Sequence, residues 1–551
     1  MTIAKIPFLA ALMLLLLLPL SRIEAKLPES LRYSEDGTLL LQGDQAASGL
    51  YDPTVLRTFE LTFSQSDWWE QLTANYESET EIPADLTVDG VAYPGVGVRF
   101  KGMTSYMMTG NSQKKSFNIA LDYRDPDQRL MGYKTLNLNN ANSDPTFMRE
   151  ALYFDAARRY VPCPKVSFVR LVINGESWGL YVHVEQLNAE MIEEWFDNTL
   201  GTRWKVPFSD GDERTGRPDS LAPSRWDSLV PGRTDTLAPS LRDSLGQPPG
   251  TGTTPAGTGT AGRLTLAQWL ASDQAVDLNG DDRITQADYQ IYLQQAGGGR
   301  QPTGGGIVPG GGGGTGTLMG NGNGALVWLG LDSTAYLSAY EVKSTHVENP
   351  WSSLIATCDL ISNAPLADLA DTLESVLAVD RWLWFLAVEN IFTDEDSYLT
   401  KGADYQIYAE PGTNRLHPLQ YDGNESFVTR DVNLSPFEGE TSTQRPLLSR
   451  VLTVPALRQR YLAHYRTILT ESFDWAVLGP KVVTYRALIE AEVQADPKKL
   501  DTYEEFQTGL AALEGLVTAR RTWLLSRTDV AAQAPRIAAV ALPTAVAAAK
   551  A

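Results

Sequence analysis

Residues 134–188 place the strongest constraint on how this 551-residue chain can fold, because one short run predicts a strand, a helix and a hairpin. Apolar and polar residues alternate from Thr135 to Leu138, as in a half-buried strand, and apolar residues recur at helical spacing from Met148 to Tyr160. Asp144 is a good N-cap residue, and Pro145 suits the first turn of a helix. The pattern therefore predicts a strand followed by a helix that begins after Asp144.

A β-hairpin is predicted directly after this helix. Two runs rich in β-branched and aromatic residues, Val166 to Ile173 and Trp178 to Val184, flank the pair Asn174-Gly175. Asn and Gly both tolerate the positive φ angles that a tight two-residue turn requires. Helices elsewhere, including a helical region at 445–527, make the expected fold class α+β.

The composition is that of an acidic globular protein. Hydrophobic residues make up 43% of the chain and charged residues 21%, which is ordinary for a folded domain. The chain has 67 acidic and 46 basic residues, and its net charge of −21 disfavours a nucleic-acid partner because the phosphates would be repelled. The two cysteines, Cys163 and Cys358, exclude a disulfide framework and a cysteine-based zinc site.

The first 25 residues predict a signal peptide. Lys5 is followed by a leucine-rich apolar run from Phe8 to Leu20, and a short polar segment ends at Ala25. The run is short for a membrane span, so an uncleaved anchor is the alternative interpretation. No second apolar run of spanning length follows in the sequence. We expect an exported chain, secreted or located at the cell surface or in the periplasm, with no membrane span after cleavage.

The composition changes between residues 209 and 323, where Pro, Gly, Ser and Thr dominate. Such a composition predicts an insert with flexible arms. Its first arm repeats at an offset of about 16 residues, since Arg217 to Ser224 resembles Arg233 to Ser240, and duplication of a linker is the simplest explanation. The predicted organisation is a signal peptide at 1–25, two parts of one domain at 26–208 and 324–529, the insert at 209–323, and a mobile alanine-rich tail at 530–551.

A compact island at 264–295 interrupts the insert with helical periodicity. Oxygen-bearing residues in it follow the spacing of a dockerin-type or EF-hand calcium loop, although Asp282 stands where such loops usually have glycine. The spacing predicts a Ca²⁺ site and a docking point for a partner, with an acidic helix–turn–helix as the alternative. The predicted ligands are Asp277, Asn279, Asp281, the Arg283 carbonyl and Asp288.

Several short motifs follow one another in a fixed order along the chain. The core motif NGE-xx-GLY-xxx-EQ at 174–186 is preceded by basic strand motifs at 98–102 and 114–119. It is followed by motifs at 340–343, 394–398 and 418–424. In this order the motifs resemble those of the CotH family of spore-coat-type secreted kinases. The resemblance implies an atypical protein-kinase-like fold with a helical C-terminal region. It also implies an enzyme that transfers the γ-phosphate of ATP to hydroxyl groups of a protein substrate.

The resemblance assigns roles to four polar residues near the end of the matched motifs. Asp396 follows an apolar helix and matches the family's catalytic aspartate, and Asp422 ends an apolar strand and matches the metal-binding aspartate. A carboxylate at a strand end beside a glycine is well placed to hold Mg²⁺ or Mn²⁺. This chain has Asp404 where the family has Asn, and Asn424 where the family has a second acid. Both are therefore candidate metal ligands.

Phosphoryl transfer also needs cations around the phosphates. Lys101, Lys114 and Lys115 are the candidates, Arg99 is a comparable one, and Lys115 opens a strand that alternation places near a sheet edge. Glu150 on the predicted helix is a candidate to hold such a lysine, as a kinase helix glutamate does, and Glu185 competes for that role.

Two other functions stay open at this point. A catalytically inactive surface or matrix scaffold would retain the fold and dock partners through the calcium island. A secreted hydrolase would act through paired carboxylates, although no spacing singles out a pair. The acidic motifs also have plainer interpretations, since 394–396 would suit the end of a helix and 421–424 a β-turn.

We predict that the isolated segment 263–297 gains helix when Ca²⁺ is added. Four aspartates crowd the loop, and a divalent cation relieves their repulsion. Asp277→Ala combined with Asp288→Ala should remove the response, which circular dichroism measures. Identical spectra in chelator and in millimolar Ca²⁺ would contradict a calcium site.

Overall fold

The computed structural model of the chain describes residues 31–33, 40–42, 49–196, 198–207 and 324–532. The chain separates into two compact units, and the second, Ser220–Gly316, lies outside the described residues. The predicted signal peptide, calcium loop and C-terminal tail from 533 onward also lie outside them. All the described residues belong to the first unit, Met1–Asp219 with Thr317–Ala551.

Seven of the described strands close into a barrel in the order β3-β4-β5-β6-β7-β9-β8. Neighbouring strands are antiparallel except for β8 and β3, which pair in parallel and close the ring. The strands are β1 Leu31–Tyr33, β2 Leu40–Gln42, β3 Arg57–Thr62, β4 Ile82–Val88, β5 Val91–Lys101, β6 Ser116–Ala120, β7 Thr135–Asn139, β8 Val166–Ile173, β9 Glu176–Glu185, β10 Thr202–Val206, β11 Glu341–Ser344, β12 Tyr405–Ala409 and β13 Leu416–Gln420.

The predicted hairpin is confirmed as β8 and β9. Asn174 and Gly175 have φ angles of 51° and 80°, the left-handed values of a type I′ turn. The Asn174 side chain also accepts a hydrogen bond from the Phe63 amide at 2.8 Å, which ties the turn to the end of β3. The sheet-edge prediction for the strand after Lys115 is wrong. That strand, β6, pairs with β5 on one side and β7 on the other, because the barrel leaves it no free edge.

A separate sheet of four strands has the order β11-β10-β12-β13. The hairpin β12–β13 contains, as β13, the apolar strand that the sequence predicts before Asp422. Tyr405 pairs with Gln420, so the residues just outside this pair, Asp404 and Tyr421, lie at the open end of the hairpin. Asp404 also donates its amide to the Val206 carbonyl at 2.7 Å, which places the end of β10 at the same point.

Helices fill the C-terminal part of the chain, as its periodicity predicts. No described helix is both long and apolar enough to cross a membrane. The helices are α1 Trp68–Ala74, α2 Thr104–Met107, α3 Arg149–Ala157, α4 Ala189–Trp195, α5 Ser352–Asn363, α6 Leu366–Leu373, α7 Val379–Ile391, α8 Pro446–Ser449, α9 Pro455–Glu471, α10 Trp475–Ala495, α11 Tyr503–Leu525 and α12 Thr528–Ala531.

The predicted start of α3 is wrong by about one turn. The helix begins at Arg149 and not after Asp144, because Phe147 has a left-handed φ of 60° that no right-handed helix can include. Asp144 instead accepts hydrogen bonds from the Thr146 amide at 3.0 Å and the Arg149 amide at 2.9 Å. Its side chain therefore organises the loop that precedes the helix.

A buried ion pair joins the barrel to the C-terminal helices. The Lys114 ammonium lies 2.6 Å from Asp496, the residue after α10, and both side chains are fully buried. Lys114 also donates to the Trp178 carbonyl at 2.9 Å, and Asp496 accepts from the Leu180 amide at 3.0 Å. A Cβ on Gly179 would lie 1.9 Å from the Asp496 carboxyl carbon, so a side chain there is incompatible with the pair.

We predict that Asp496→Ala lowers the free energy of unfolding by about 3–5 kcal/mol, because it leaves a buried ammonium without its counter-charge. Glu490→Ala is the matched control, since it removes a more exposed pair with Arg486 on the same region of α10. That control should cost under about 1 kcal/mol. Urea unfolding measures both variants, and equal small losses would mean that the buried pair contributes little to stability.

Candidate functional site

A cavity of about 510 Å³ lies between one wall of the barrel and the four-stranded sheet. Strands β5 to β7 and helix α3 contribute one side, and strands β10 to β12 with the loops around them and the turn after β13 contribute the other. Most of the residues predicted from sequence for the nucleotide site line this one cavity. They are Arg99, Lys101, Glu150, Asp396, Asp404, Asp422 and Asn424.

On the barrel side, a lysine and a glutamate are joined through an asparagine. The Lys101 ammonium donates to Asn139 Oδ1 at 2.8 Å. The Asn139 amide nitrogen in turn lies 3.1 Å and 3.0 Å from the two carboxylate oxygens of Glu150. Lys101 ends β5, Asn139 ends β7 and Glu150 lies in the first turn of α3, so three elements position one polar chain.

Burial and neighbouring negative charge disfavour ionisation of two carboxyl groups in the cavity. Burial first, and then the charge of Asp422, raise the pKa of Glu150 to about 7. The same two causes raise the pKa of Asp404 to about 7, against the opposing charges of Lys401 and Lys205. Both groups are therefore partly protonated near neutral pH, and a cation bound beside them would favour their charged forms.

Asp396 lies in the loop that follows α7. Its carboxylate forms an ion pair with Lys401, and the same ammonium lies 3.6 Å from Glu425. Lys401 thus bridges two acidic residues on the cavity wall. Asp394, two residues earlier, is buried and does not line the cavity, and burial raises its pKa well above the usual range. Asp396 is therefore the residue of the acidic run 394–396 that lines the cavity.

Packing of helix α3 fixes the position of the acidic turn after β13. A Cβ on Gly423 would lie 2.5 Å from Tyr153 Cδ1 and 3.0 Å from Phe154 Cε1, so only glycine permits this approach. The same helix carries Glu150 into the cavity. The distance between Glu150 and Asp422 therefore depends on the contact at Gly423.

Several loops around the cavity contain residues with left-handed backbone conformation. Asp404 has a φ of 60°, which Asp and Asn tolerate better than most residues because their short side chains bond locally. Such conformations typically cost about 1–3 kcal/mol each and are common at binding sites. The non-glycine residues in these loops with positive φ are Ala141, Ser143, Phe147, Thr393, Asp404 and Phe427.

Three residues that are candidates from the sequence lie outside the cavity lining, and the first, Lys114, is buried in its ion pair with Asp496. Lys101 pairs with Ser116 and both line the cavity, so the preceding residue, Lys115, points to the other face of the strand. The Lys115 ammonium donates to the Tyr106 carbonyl, Thr109 Oγ1 and the Gly110 carbonyl, which satisfies its three donors. Glu185 accepts from the Lys165 amide at 2.9 Å in a separate buried charge cluster. Lys114, Lys115 and Glu185 are therefore left out of the site that we propose.

The cavity residues that the sequence patterns do not identify include Asn139, Lys205 and Lys401. The Lys205 ammonium lies 5.0 Å from the centre of the Tyr421 ring, and Tyr421, followed by nearby carboxylates, raises its pKa. Strand alternation in 135–139 puts Asn137 and Asn139 on one face, which is a signal that could have identified Asn139. No local signal identifies Lys205, because its role depends on sheet pairing across the insert.

The acidic residues of the cavity fit a metal that arrives together with a phosphate ligand. Within the described part of the chain, no group of three His, Cys, Asp or Glu side chains could hold a metal ion alone. Mg²⁺ in nucleotide sites usually takes one or two carboxylates and completes its shell with phosphate and water. Asp404 Oδ2 is buried without a hydrogen-bond partner, beside the charge of Asp422. A cation at Asp404 and Asp422 would satisfy this oxygen.

Comparison with known families identifies the domain. The family described as CotH kinase protein matches residues 98–216 and 314–524, which together make up more than half of the chain. The chain belongs to the CotH kinase family. All the predicted residues that line the cavity fall within these matched stretches, and residues 217–313 of the insert fall outside them. A search of curated proteins gives no match.

We predict that stability in the absence of metal falls as pH rises from 5 to 8. A carboxyl group whose folded pKa is raised contributes stability that is complete below its unfolded pKa, near 4, and is lost as pH rises through about 7. For Glu150 the loss is at most about 3.5 kcal/mol, since one pKa unit corresponds to about 1.4 kcal/mol. Glu150→Gln with Asp404→Asn should flatten the profile of urea midpoint against pH. If the urea midpoint of the double variant depended on pH as that of the parent chain does, Glu150 and Asp404 would not be the source of the pH dependence.

Proposed function

We propose that this CotH family member is an exported protein kinase that transfers the γ-phosphate of ATP to hydroxyl groups of protein substrates. One observation carries the proposal. The Lys101–Asn139–Glu150 chain, the pair Asp404 and Asp422, and Asp396 all reach one cavity from different parts of the sequence. This combination supplies cations for phosphates, carboxylates for a metal, and a carboxylate for the accepting hydroxyl.

In the proposed site, Lys101 and Arg99 contact the phosphates from the barrel side and Lys205 from the sheet side. Glu150 acts as a positioning residue, because it holds Lys101 only through Asn139. Asp422 and Asp404, with Asn424 beside them, are the residues that would hold Mg²⁺ or Mn²⁺. When bound, the metal neutralises negative charge on the phosphates and so favours their approach to a nucleophile.

We assign Asp396 the role of the base that orients and deprotonates the accepting hydroxyl. Its position supports this role, since it lines the same cavity as Asp422 but belongs to the loop after α7. Lys401 holds the Asp396 carboxylate in place through their ion pair. General-base catalysis of this kind contributes typically about two to four orders of magnitude to a rate.

The N-terminal apolar run and the acidic loop in the insert extend the proposal. The leader supports export to the cell surface, the periplasm or the medium. The spacing of Asp277 to Asp288 supports Ca²⁺ binding by the island, which would tether the kinase domain to a partner. The inactive scaffold remains the competing function, and the presence of Asp404 and Asn424 in place of the family's residues is the observation that favours it.

We predict that Asp422→Ala abolishes metal-dependent nucleotide binding and leaves the fold intact. Asp396→Asn should still bind nucleotide, but its turnover should fall by about two to four orders of magnitude. Titration calorimetry with Mg²⁺ and ATP measures binding, and transfer of labelled phosphate measures turnover.

Glu410→Gln is the matched control for both variants. Glu410 follows β12 at the far end of the same hairpin, where it interacts with His417. The Glu410→Gln variant should bind and turn over nucleotide as the parent chain does. Unchanged nucleotide affinity in Asp422→Ala would remove that residue from the site, and a parent chain that binds no nucleotide would favour the scaffold.

A further inference from the structure

The cavity contains one guanidinium that has no role in the site described so far. Arg203 lies on β10 two residues before Lys205, so both side chains face the cavity from the same side of the sheet. The Arg203 Nη1 group donates to the Leu187 carbonyl and, at 3.0 Å, to Gln406 Oε1. No acceptor among the described residues takes the three N–H groups on Nη2 and Nε, and no described carboxylate forms an ion pair with Arg203. These three donors are available to a ligand.

Two glutamines that line the same cavity also keep their amide nitrogens unpaired. Gln406 is 3% exposed, and because arginine can only donate, the oxygen of Gln406 must be the atom that faces Arg203. Gln186 Oε1 accepts from Asn137 Nδ2 at 2.7 Å, and the same nitrogen donates to the Val184 carbonyl, which fixes the orientation of both amides. Neither Gln186 Nε2 nor Gln406 Nε2 has an acceptor in the described part of the chain. This wall of the cavity is therefore rich in donors.

The donor-rich wall lies along β10 from the proposed metal ligands. Val206 pairs with Tyr405, the residue after Asp404, so the end of β10 marks the metal end of the cavity. Arg203 lies three residues earlier on the strand, roughly 10 Å from that end. A nucleotide that lies along β10 with its phosphates at Lys205 and Asp404 thus brings its base to Arg203.

The donors on this wall match guanine better than adenine. Guanine presents two neighbouring acceptors, O6 and N7, and a guanidinium donates to both at once. Adenine presents N7 beside the N6 amino group, which is itself a donor. Opposite a wall of donors that amino group finds no acceptor, and the protein donors that it displaces from water stay unpaired. Hydrogen-bond complementarity therefore favours a base with O6.

We infer that Arg203, together with Gln186 and Gln406, recognises the base of the nucleotide and that the site binds guanine nucleotides at least as tightly as adenine nucleotides. The inference rests on the proposed kinase function and extends its phosphate donor from ATP to GTP. Arg203 is in this account a specificity-determining residue. Lys101, Lys205 and the metal ligands contact the phosphates, which both nucleotides share, so they do not distinguish one base from the other.

The test is titration calorimetry of the full chain with Mg²⁺ and each of three nucleotides, GTP, ITP and ATP. ITP carries O6 and N7 but lacks the 2-amino group of guanine, so it should bind as GTP does. Both should bind at least as tightly as ATP. Arg203→Leu should lower the ratio of GTP affinity to ATP affinity by about tenfold to hundredfold, the usual range for a bidentate contact to a base.

Two further variants control for charge and for folding. Arg203→Lys retains the charge but not the planar fork, so it should also lose most of the preference. Arg415→Leu removes an arginine that precedes β13 and does not line the cavity, and it should leave all three affinities unchanged. The ratio of two affinities within one variant is not changed by a loss of folded protein, because that loss lowers the binding of both nucleotides alike.

The outcomes separate this inference from the proposed function. ATP binding without GTP binding in the parent chain would overturn the inference and leave the kinase function standing. An equal loss of GTP and ATP affinity in Arg203→Leu would show that Arg203 does not recognise the base. ITP binding much weaker than GTP binding would mean that the 2-amino group is recognised, which contradicts a wall of donors. A parent chain that binds neither GTP nor ATP would overturn both proposals.

Discussion

The crowding of buried carboxyl groups in one cavity is the constraint on which the proposed site depends. Burial first, and then the charge of Asp422, raise the pKa of both Glu150 and Asp404, so three acidic groups from distant parts of the sequence share one electrostatic environment. Such a concentration of negative charge persists only where packing and counter-charges hold it. Here the counter-charges come from Lys101 through Asn139, and from Lys401.

Packing at two glycines holds the acidic groups in position. Gly423 lets helix α3 approach the turn that carries Asp422, and α3 also carries Glu150. Gly179 makes room for Asp496, whose buried pair with Lys114 connects the barrel to the C-terminal helices. The cavity lies between the barrel and the four-stranded sheet. The contact at Gly423 positions its carboxyl groups, and the contact at Gly179 joins the barrel to the C-terminal helices.

Much of the local structure could be predicted from the sequence, because turn chemistry and periodicity are local properties. The hairpin at Asn174-Gly175 and the hairpin strands before Asp422 are examples. The start of α3 could not be predicted, since the left-handed conformation of Phe147 is imposed by the surrounding loop and overrides the N-cap signal of Asp144. The orientation of Lys115 away from the cavity follows from strand pairing, which one sequence does not reveal.

The candidate site was predictable only in part for the same reason. Family resemblance identified Asp396 and Asp422, and the structure places both in the cavity with Asp404. Lys205 could not be found, because sheet pairing across the insert brings it beside Tyr421. Asn139 was predictable in one respect only. Strand alternation indicates which face of β7 carries its side chain, but its position between Lys101 and Glu150 follows from the fold.

The most direct test of this account is the number of protons released when Mg²⁺ and ATP bind. Titration calorimetry at pH 7 in two buffers of different ionisation enthalpy measures that number. Glu150 and Asp404 should lose their protons as a cation binds beside them, so we expect a net release of about one proton near pH 7, which vanishes in Glu150→Gln with Asp404→Asn. Tight binding with no proton release, or binding that is unaffected by the double substitution, would contradict the claim that these carboxylates form the metal–nucleotide site.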